Sequence, residues 1–311
     1  MMKQNLYLPE GRLIYTAVNK NYTSSPEALE RACIDGAILE GVCTLCDNEH
    51  NLHVRVGQYK GIIPREEGIY LREGERRKDI AIISRVGKPV CFKILEVRSE
   101  RGEPELILSR RSAQRECMLC YIDKLSAGDI IPARVTHMES FGVFADVGCG
   151  IISLLPIDTL SVSRISHPRD RICLGQDLRA VVKTPSNGSG RISLSQRELL
   201  GTWQENAELY RPGQTAAGII RSIESYGVFV ELTPNLAGLA EYKEGVEVGK
   251  SAAVYIKSII RDKMKIKLVI IDTYPAEVSP TPLNYFIKQG HIDYWRYSPA
   301  ECSKLVESVF A

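Results

Sequence analysis

Cysteine and histidine are the residues in this sequence that could bind a transition metal, and several lie at metal-ligand spacing. Two Cys-x-x-Cys motifs and two histidines form the densest grouping: Cys43, Cys46, His50, His53, Cys117 and Cys120. A structural zinc site needs four ligands that converge on one point. Cys43 and Cys46 lie three residues apart on a predicted strand and therefore face opposite sides. We expect free cysteines, with no metal and no other cofactor; a zinc site is the alternative.

Aromatic residues form a second candidate set, centred on the segment from Val143 to Val147. Apolar residues alternate there with Phe144 and Asp146, and alternation with a period of two is typical of a β-strand. If the apolar residues fill a core, Phe144 and Asp146 must face the opposite side. A phenylalanine that faces solvent is suited to stacking on nucleic acid bases, which contributes about 1–3 kcal/mol per base. The alternative is that Phe144 packs under a linker helix.

Basic residues are concentrated in one predicted loop. They are Arg164, His167, Arg169 and Arg171. Such a loop can bind the phosphates of a nucleic acid through ion pairs. A charged loop that is merely solvated is the alternative.

Other features exclude several classes of protein. The sequence contains no motif typical of a nucleophile with its base, of a Gly-rich phosphate loop or of paired catalytic carboxylates, so we expect no enzyme. Its net charge is +2, from 40 basic and 38 acidic residues, which does not by itself indicate nucleic acid binding. No apolar stretch approaches the roughly 20 residues that span a membrane, and no signal peptide is apparent. We therefore expect a cytoplasmic protein with reduced cysteines and no membrane partner.

The segments that carry the aromatic residues repeat along the chain. Residues 128–148 and 213–233 share the motif E-S-[FY]-G-V-F without a gap, each residue 85 positions from its counterpart. This offset pairs Phe141 with Tyr226, and Phe144 with Phe229. A gapless internal match of this kind indicates a repeated structural unit.

A fainter copy lies upstream, in residues 36–64. Its Gly61-Ile62-Ile63 aligns with Gly150-Ile151-Ile152 of the second copy. Each copy continues through alternating apolar residues to a last predicted strand. Five short strands per unit, separated by glycine-containing turns, predict a small closed barrel.

The sequence therefore predicts a mainly β protein of three tandem five-stranded barrels joined by short helices, with a small helical extension at the C-terminus. A first short helix is expected with Ser25 as its N-cap and Gly36 after its end. The expected segments are an N-terminal extension (1–35), a first barrel (36–112), a linker helix (113–127), a second barrel (128–198), a linker (199–212), a third barrel (213–272) and the C-terminal extension (273–311).

The pattern G-x-V…[FY]-G-V-F-V-x-[LV]…G-L…R-I-x-L-S resembles the S1 RNA-binding domain. The resemblance covers residues 36–110, 128–198 and 213–271, and is closest in the second of these ranges. It implies an oligonucleotide-binding fold (OB-fold) with five antiparallel strands, one exposed face of which binds single-stranded RNA. This domain is named after the largest protein of the bacterial small ribosomal subunit, so the resemblance also implies that subunit as a partner.

The resemblance implies which residues contact RNA. In this family two aromatic residues on the second strand stack on bases, a polar residue follows on the third strand, and a basic residue begins the last. The second unit supplies Phe141, Phe144, Ser153 and Arg191 at these positions. The third unit supplies Tyr226, Phe229 and Lys265, with Glu241 at the polar position, where its carboxylate would repel phosphate.

The first unit departs from this pattern. It has His50 and His53 at the aromatic positions, Pro64 at the polar position and Glu105 at the basic position. We expect weak or no RNA binding there.

The leading hypothesis is a binding protein for single-stranded RNA, mRNA in particular, with a role in translation like that of ribosomal protein S1. A second hypothesis keeps the fold and makes the chain an accessory or regulatory factor in transcription or RNA decay, acting through protein contacts. A nuclease is a third hypothesis, disfavoured because no metal or acid–base cluster is visible in the sequence. No small-molecule substrate is expected.

Overall fold

Strands formed by alternating apolar and polar residues close into three five-stranded barrels. A computed structural model of the chain describes residues 7–310, apart from 73, 75, 77, 101–102, 187–190 and 276–281. In each barrel the first three strands form a meander, and the fifth strand lies between the third and the fourth. The three tandem barrels expected from the sequence are confirmed.

Two short helices precede the first barrel, α1 (Ala17–Tyr22) and α2 (Pro26–Asp35). The start and end of α2 follow from its capping residues. The Ser25 hydroxyl accepts a hydrogen bond from the Ala28 N–H at 3.2 Å, and Gly36 ends the helix with a left-handed φ of 59°.

The first barrel contains an interior of aliphatic side chains such as Leu52, Val54 and Val56, which alternate along one strand and are all buried. Strand β3 pairs in parallel with β5, and the other neighbours pair antiparallel. Its elements are β1 (Leu39–Cys46), β2 (Leu52–Val56), β3 (Tyr59–Ile63), α3 (Asp79–Ile83), β4 (Pro89–Glu100) and β5 (Glu103–Ser109).

Helix α4 (Arg110–Cys120) follows β5 without a loop. It begins three residues before the expected linker helix, because the Ser109 hydroxyl accepts a hydrogen bond from the Ser112 N–H and caps it there.

The second barrel has the same strand order as the first. Its elements are β6 (Ile130–Glu139), β7 (Gly142–Asp146), β8 (Ile152–Pro156), β9 (Asp177–Thr184) and β10 (Ser193–Ser195), followed by α5 (Trp203–Ala207). A capping box between Thr202 and Glu205 fixes the start of α5.

The third barrel has a long fourth and a long fifth strand, each of ten residues. Its strands are β11 (Thr215–Glu224), β12 (Gly227–Thr233), β13 (Leu236–Ala240), β14 (Ser251–Ile260) and β15 (Lys265–Tyr274). Short 3-10 helices also connect elements throughout the chain: Arg65–Glu67, Ile122–Lys124, Ile157–Thr159, Pro168–Asp170, Arg197–Leu200 and Arg261–Lys263.

The C-terminal segment is not helical, and that part of the sequence-based prediction was wrong. The described residues 282–310 contain no helix; they form a two-stranded sheet of β16 (Tyr294–Arg296) and β17 (Glu307–Val309). Three aromatic residues of this segment are buried and pack in the core of the third barrel: Trp295, Tyr297 and Phe310. Burial of these rings against the barrel outweighs the weak helical preference of short segments.

The chain forms two compact units. The first contains the chain up to Leu125 and the segment Asp146–Ile152, and the second contains Ser126–Ala145, Ser153–Pro185 and the chain from Arg191 onward. The seven-segment division of the sequence stays a prediction.

Candidate nucleic-acid interface

Two phenylalanines form an aromatic pair on the outer surface of the second barrel. Val143 and Ala145 on β7 are fully buried in the barrel interior, so the alternation of the strand places Phe144 between them on the outer face. Phe144 is half-buried, and Phe141 is 54% exposed in the turn before β7. Their ring centroids lie 6.0 Å apart with the planes at 88°, an edge-to-face contact that leaves ring surface open to a ligand.

The third barrel repeats this pair with the same geometry. The rings of Tyr226 and Phe229 also lie 6.0 Å apart at 88°. Tyr226 is 68% exposed, and Phe229 is half-buried between the fully buried Val228 and Val230. Two barrels thus present equivalent aromatic pairs on their outer faces.

The second barrel has a third ring beside this pair, which the sequence did not predict. His137 on β6 lies 6.0 Å from Phe144, centroid to centroid, with the ring planes tilted by 30°. Its Nε2 lies 2.7 Å from the Glu139 carboxylate. The 85-residue repeat gives no sign of it, because it aligns His137 with Ser222; the equivalence appears only in the structure, where Ser222 pairs with Phe229 across the β11–β12 ladder.

The strand register places one basic residue beside each aromatic pair. Leu154 on the outer face of β8 is the partner of Ser193, and Leu239 of β13 is the partner of Lys267. Arg191 lies two residues before Ser193, just ahead of β10, and Lys265 lies two residues before Lys267, at the start of β15; both are exposed. These two residues occupy equivalent positions in the two barrels.

Ser153 does not lie on this face, which contradicts its proposed role as the polar RNA contact. It is 4% exposed and faces the barrel interior. Its counterparts are the interior glycines Gly61 and Gly238, where an added Cβ would lie 2.6 and 2.5 Å from a leucine side chain. The alignment of the Gly-Ile-Ile segments was shifted by three residues.

Pro156 is the residue of the second barrel that corresponds to Glu241. A Cβ on Gly142 would approach the carbonyl oxygen of Leu155, as one on Gly227 would approach that of Ala240. Pro156 and Glu241 follow these two residues directly. The second barrel therefore has no carboxylate at the position where the third barrel has one.

Arg171 is also unavailable to an external phosphate, because it is buried in an ion pair. Both of its terminal nitrogens donate to Glu231 at 2.7 Å, and Arg221 donates to the same carboxylate at 3.0 Å. Burial alone would raise the pKa of Glu231, but the hydrogen bonds from Arg171 and Arg221 lower it. The loop residues Arg164 and Arg169 are exposed.

The first barrel has neither the aromatic pair nor the basic residue. His53 lies at the position of Phe144 and Phe229, with its Nε2 3.2 Å from Asp47. The register that places Arg191 and Lys265 puts Glu105 at the equivalent position, because Ile62 pairs with Ile107. Leu45, the cross-strand partner of His53, is 54% exposed. Here Leu45 and Glu105 replace the aromatic pair and the basic residue, and the exposed Lys60 is the cross-strand partner of Glu105.

Asp146 was expected on a solvent face and is instead buried in the first unit. Its carboxylate accepts hydrogen bonds from the backbone N–H groups of Glu10, Gly148 and Gly150 at 2.7 to 3.0 Å. Burial raises the pKa of Asp146 to about 7. Arg110 donates to the neighbouring Glu10 at 2.7 Å. This polar network connects the segment before α1 to residues far along the chain, and sequence analysis gave no sign of it.

The cysteines and histidines do not come together as a metal site in the part of the chain that the structure describes. No three His, Cys, Asp or Glu residues there are placed to hold an ion. Cys43 is buried in the barrel interior, Cys46 is half-buried, and all nine cysteines are free. Among the same residues, no helix is long and apolar enough to cross a membrane.

Comparison with known proteins gives a family match over the second barrel. The family described as S1 RNA binding domain matches residues 124–197, the range that contains β6 to β10. A multidomain protein with nucleic acid binding domains from Streptococcus pneumoniae, known from a crystal structure, aligns with 76% of this chain and 74% of its own at 15% identity and a TM-score of 0.26.

Two curated relatives extend the similarity along the chain. The small ribosomal subunit protein bS1 homolog of Bacillus subtilis is 28% identical over 230 residues, 69% of this chain and 57% of that protein. Small ribosomal subunit protein bS1 of Staphylococcus aureus (strain COL) is 27% identical over 242 residues, 73% of this chain and 59% of that protein. The chain thus spans less than three fifths of the length of these relatives. The second barrel therefore matches the S1 RNA binding domain, and the chain as a whole has three barrels of one topology and is similar to small ribosomal subunit protein bS1.

Proposed function

We propose that the chain binds single-stranded RNA through the outer faces of its second and third barrels. The observation that carries this proposal is the aromatic pair that recurs with one geometry, 6.0 Å and 88°, in both barrels. Exposed aromatic rings stack on bases of any identity. The basic residues beside them, Arg191 and Lys265, supply cations for the phosphates that connect those bases.

The natural ligand in this proposal is mRNA, and the setting is translation in the cytoplasm. The supporting observation is the similarity to proteins whose names assign them to the small ribosomal subunit. The chain acts by binding, without catalysis, and takes no small-molecule substrate. Incubation with RNA and Mg²⁺ tests the absence of catalysis, because cleavage that depends on the added metal would identify a nuclease instead.

Equilibrium binding tests the proposal directly. Labelled unstructured RNA, titrated with the full chain and followed by fluorescence anisotropy, should bind with an affinity that falls as salt rises, because phosphate contacts release counterions. Duplex DNA of equal length should bind more weakly, because its bases are not free to stack. Equal affinity for both ligands contradicts a stacking face, and no RNA binding at low salt refutes the proposal.

A second candidate function is that of an accessory factor in transcription or RNA decay that works through protein contacts. Exposed leucines of the first barrel favour it, because Leu45 and Leu95 are 54% and 47% exposed at separate places on its surface and Glu105 replaces the basic residue. Ribosome co-sedimentation from cell extract separates the two candidates. We expect the chain in the ribosomal fractions; its absence there, with retained RNA binding in vitro, would favour the second candidate.

A further inference from the structure

The hairpin of β14 and β15 has the highest density of positive charge among the barrel hairpins. Residues 257–267, which we call the basic hairpin, contain five basic residues and one acidic residue: Lys257, Arg261, Asp262, Lys263, Lys265 and Lys267. Its net charge is therefore +4, whereas that of the whole chain is +2. The rest of the chain is net negative, so the charge of the hairpin is not a general property of the surface.

The strand register displays these cations on the outer surface. Lys265 and Lys267 are exposed, and Ile266 between them is buried. Alternate residues on one face of a strand are separated by about 6.6 Å. Lys257 lies at a bulge where β14 shifts its pairing with β15, next to Ser258, the partner of Lys267. The remaining two cations, Arg261 and Lys263, are exposed in the 3-10 turn.

The cations of the basic hairpin are not neutralised by neighbouring side chains. Within the described part of the chain, none of their side chains forms a hydrogen bond or an ion pair. Arg171 and Arg221 of the same unit differ in this respect, because both bind the buried Glu231 carboxylate. Exposed cations without an internal partner are free to bind an external anion.

The basic hairpin lies on the same surface of the third barrel as its aromatic pair. Phe229 pairs with Leu239 on the neighbouring strand, and Leu239 pairs with Lys267 on the next. Two strand spacings, about 10 Å in all, therefore separate Phe229 from Lys267 across one surface. An RNA strand whose bases stack on Tyr226 and Phe229 would have its phosphates within reach of the hairpin.

The other two barrels do not carry an equivalent charge. The corresponding hairpin of the first barrel, residues 96–105, has four acidic and two basic residues in its sequence, and that of the second barrel, residues 183–191, has two basic residues and no acidic one. The charge is thus a specific feature of the third barrel. It also outweighs the single carboxylate of Glu241, which would otherwise weaken phosphate binding there.

We propose that the basic hairpin is a phosphate-binding arm that holds the phosphodiester backbone of single-stranded RNA. This inference rests on the proposed RNA binding and adds to it the segment that supplies most of the electrostatic, sequence-independent affinity. The third barrel is then the electrostatic anchor of the chain. The second barrel, with three rings on its outer face, contributes mainly by stacking.

A charge-removal variant of the full chain tests the arm without touching Lys265 or the aromatic residues. The variant combines Lys257→Gln, Arg261→Gln and Lys263→Gln. Its control combines Lys20→Gln, Lys288→Gln and Lys304→Gln, three exposed lysines outside the hairpin. Affinity for an unstructured RNA of about 30 nucleotides is measured from low to high salt. For single strands the slope of log K against log salt is about −0.7 per phosphate contact, so the variant's slope should be shallower than the parent's by about two.

Comparison of the RNA affinities of the parent, the variant and the control decides whether the basic hairpin binds phosphates. At about 0.1 M salt the hairpin variant should bind on the order of tenfold to a hundredfold more weakly than the parent, while the control matches the parent within about twofold. Equal slopes for the variant and its control, with the parent binding well, overturn the phosphate-binding arm and leave the proposed function standing. Absence of RNA binding by the parent overturns both. A variant that keeps the parent's RNA affinity but no longer co-sediments with ribosomes would identify a protein contact and would also overturn the arm.

Discussion

Substitution of Phe144 distinguishes a ring that stacks on RNA bases from a ring that packs within the protein. Phe144→Ala should weaken RNA binding by about 1–3 kcal/mol, the loss of one base-stacking contact. It should barely change the melting temperature, because the ring is half-buried on the outer face and not inside the barrel. RNA titration and thermal unfolding of the same preparation give both quantities.

Val143→Ala is the matched control for this prediction. Val143 is the neighbouring residue on the same strand and is fully buried, so its truncation leaves a cavity and lowers the melting temperature. RNA affinity per folded molecule should stay unchanged in this control. If Phe144→Ala lowers the melting temperature as much as Val143→Ala does, Phe144 is a packing residue and the stacking interpretation is wrong.

The sequence predicted the positions of the aromatic residues correctly but those of Ser153 and Arg171 wrongly, for physical reasons. The gapless motif around Phe141 and Tyr226 locates both aromatic pairs, because side-chain direction alternates reliably along a strand. The loop between the second and third strands differs in length between the first and second barrels, and the alignment of Ser153 failed there. The ion pair of Arg171 joins residues 60 positions apart, and no local spacing predicts such a contact.

At the scale of elements, the ion pairs of Glu231 tie the loop that contains Arg171 to strands β11 and β12. The Glu231 side chain is 4% exposed and is shared by Arg171 and Arg221. Glu231→Gln should lower the free energy of unfolding by about 3–5 kcal/mol, because it leaves two guanidinium groups without their buried counter-charge. Urea denaturation measures this loss. Glu247→Gln, which removes an exposed ion pair with Lys250, should cost about 0–1 kcal/mol.

The pH dependence of that loss gives an independent check. The folded-state pKa of Glu231 is lowered from 4.5, so its stabilising contribution is present above the unfolded-state pKa and is lost as pH falls through the folded-state value. The stability difference between the parent and Glu231→Gln should therefore be largest at neutral pH and shrink below about pH 4. A difference that stays constant down to pH 3 would show that the carboxylate charge is not the cause.

The elements also differ in how well the sequence predicts them. Strands of the barrels follow from alternation, and helix α2 follows from Ser25 and Gly36, because both signals are local. The C-terminal residues carry helix-like spacing yet form β16 and β17. Helices this short are marginal without tertiary support, and the burial of Trp295 and Tyr297 in the core of the third barrel decides the outcome.

The composition of the full chain gave no sign of an RNA ligand, since the net charge is only +2. Charge becomes informative once the fold separates the acidic hairpin sequence of the first barrel from the basic hairpin of the third. This difference in hairpin charge between the first and third barrels argues against equal contributions of the three barrels to RNA binding. The sequence predicted a weak first barrel, but it also ranked the third below the second on the single carboxylate of Glu241.

Two binding barrels on one chain predict a dependence on RNA length. An oligonucleotide of about six nucleotides fills one OB-fold site, whereas one of about 30 nucleotides can engage two. Once either the second or the third barrel is bound to the longer RNA, the other one binds at an effective concentration set by the connecting chain, which raises the overall affinity by about 10²–10⁴. The parent should therefore bind the longer RNA far more tightly than the shorter one, beyond the increase expected from the number of equivalent positions.

Variants in each barrel make this prediction specific. On the longer RNA, Phe144→Ala and Phe229→Ala should each weaken binding, and the double variant should lose about the sum of the two free energies, because the sites belong to different barrels. On the six-nucleotide RNA, only the variant in the tighter-binding barrel should show a large effect, since the intact barrel still binds. Affinity for both RNAs is measured for all four proteins at one salt concentration. If the single variants have the same effects on short and long RNA, the two barrels do not hold one strand together, and each binds RNA independently or only one binds at all.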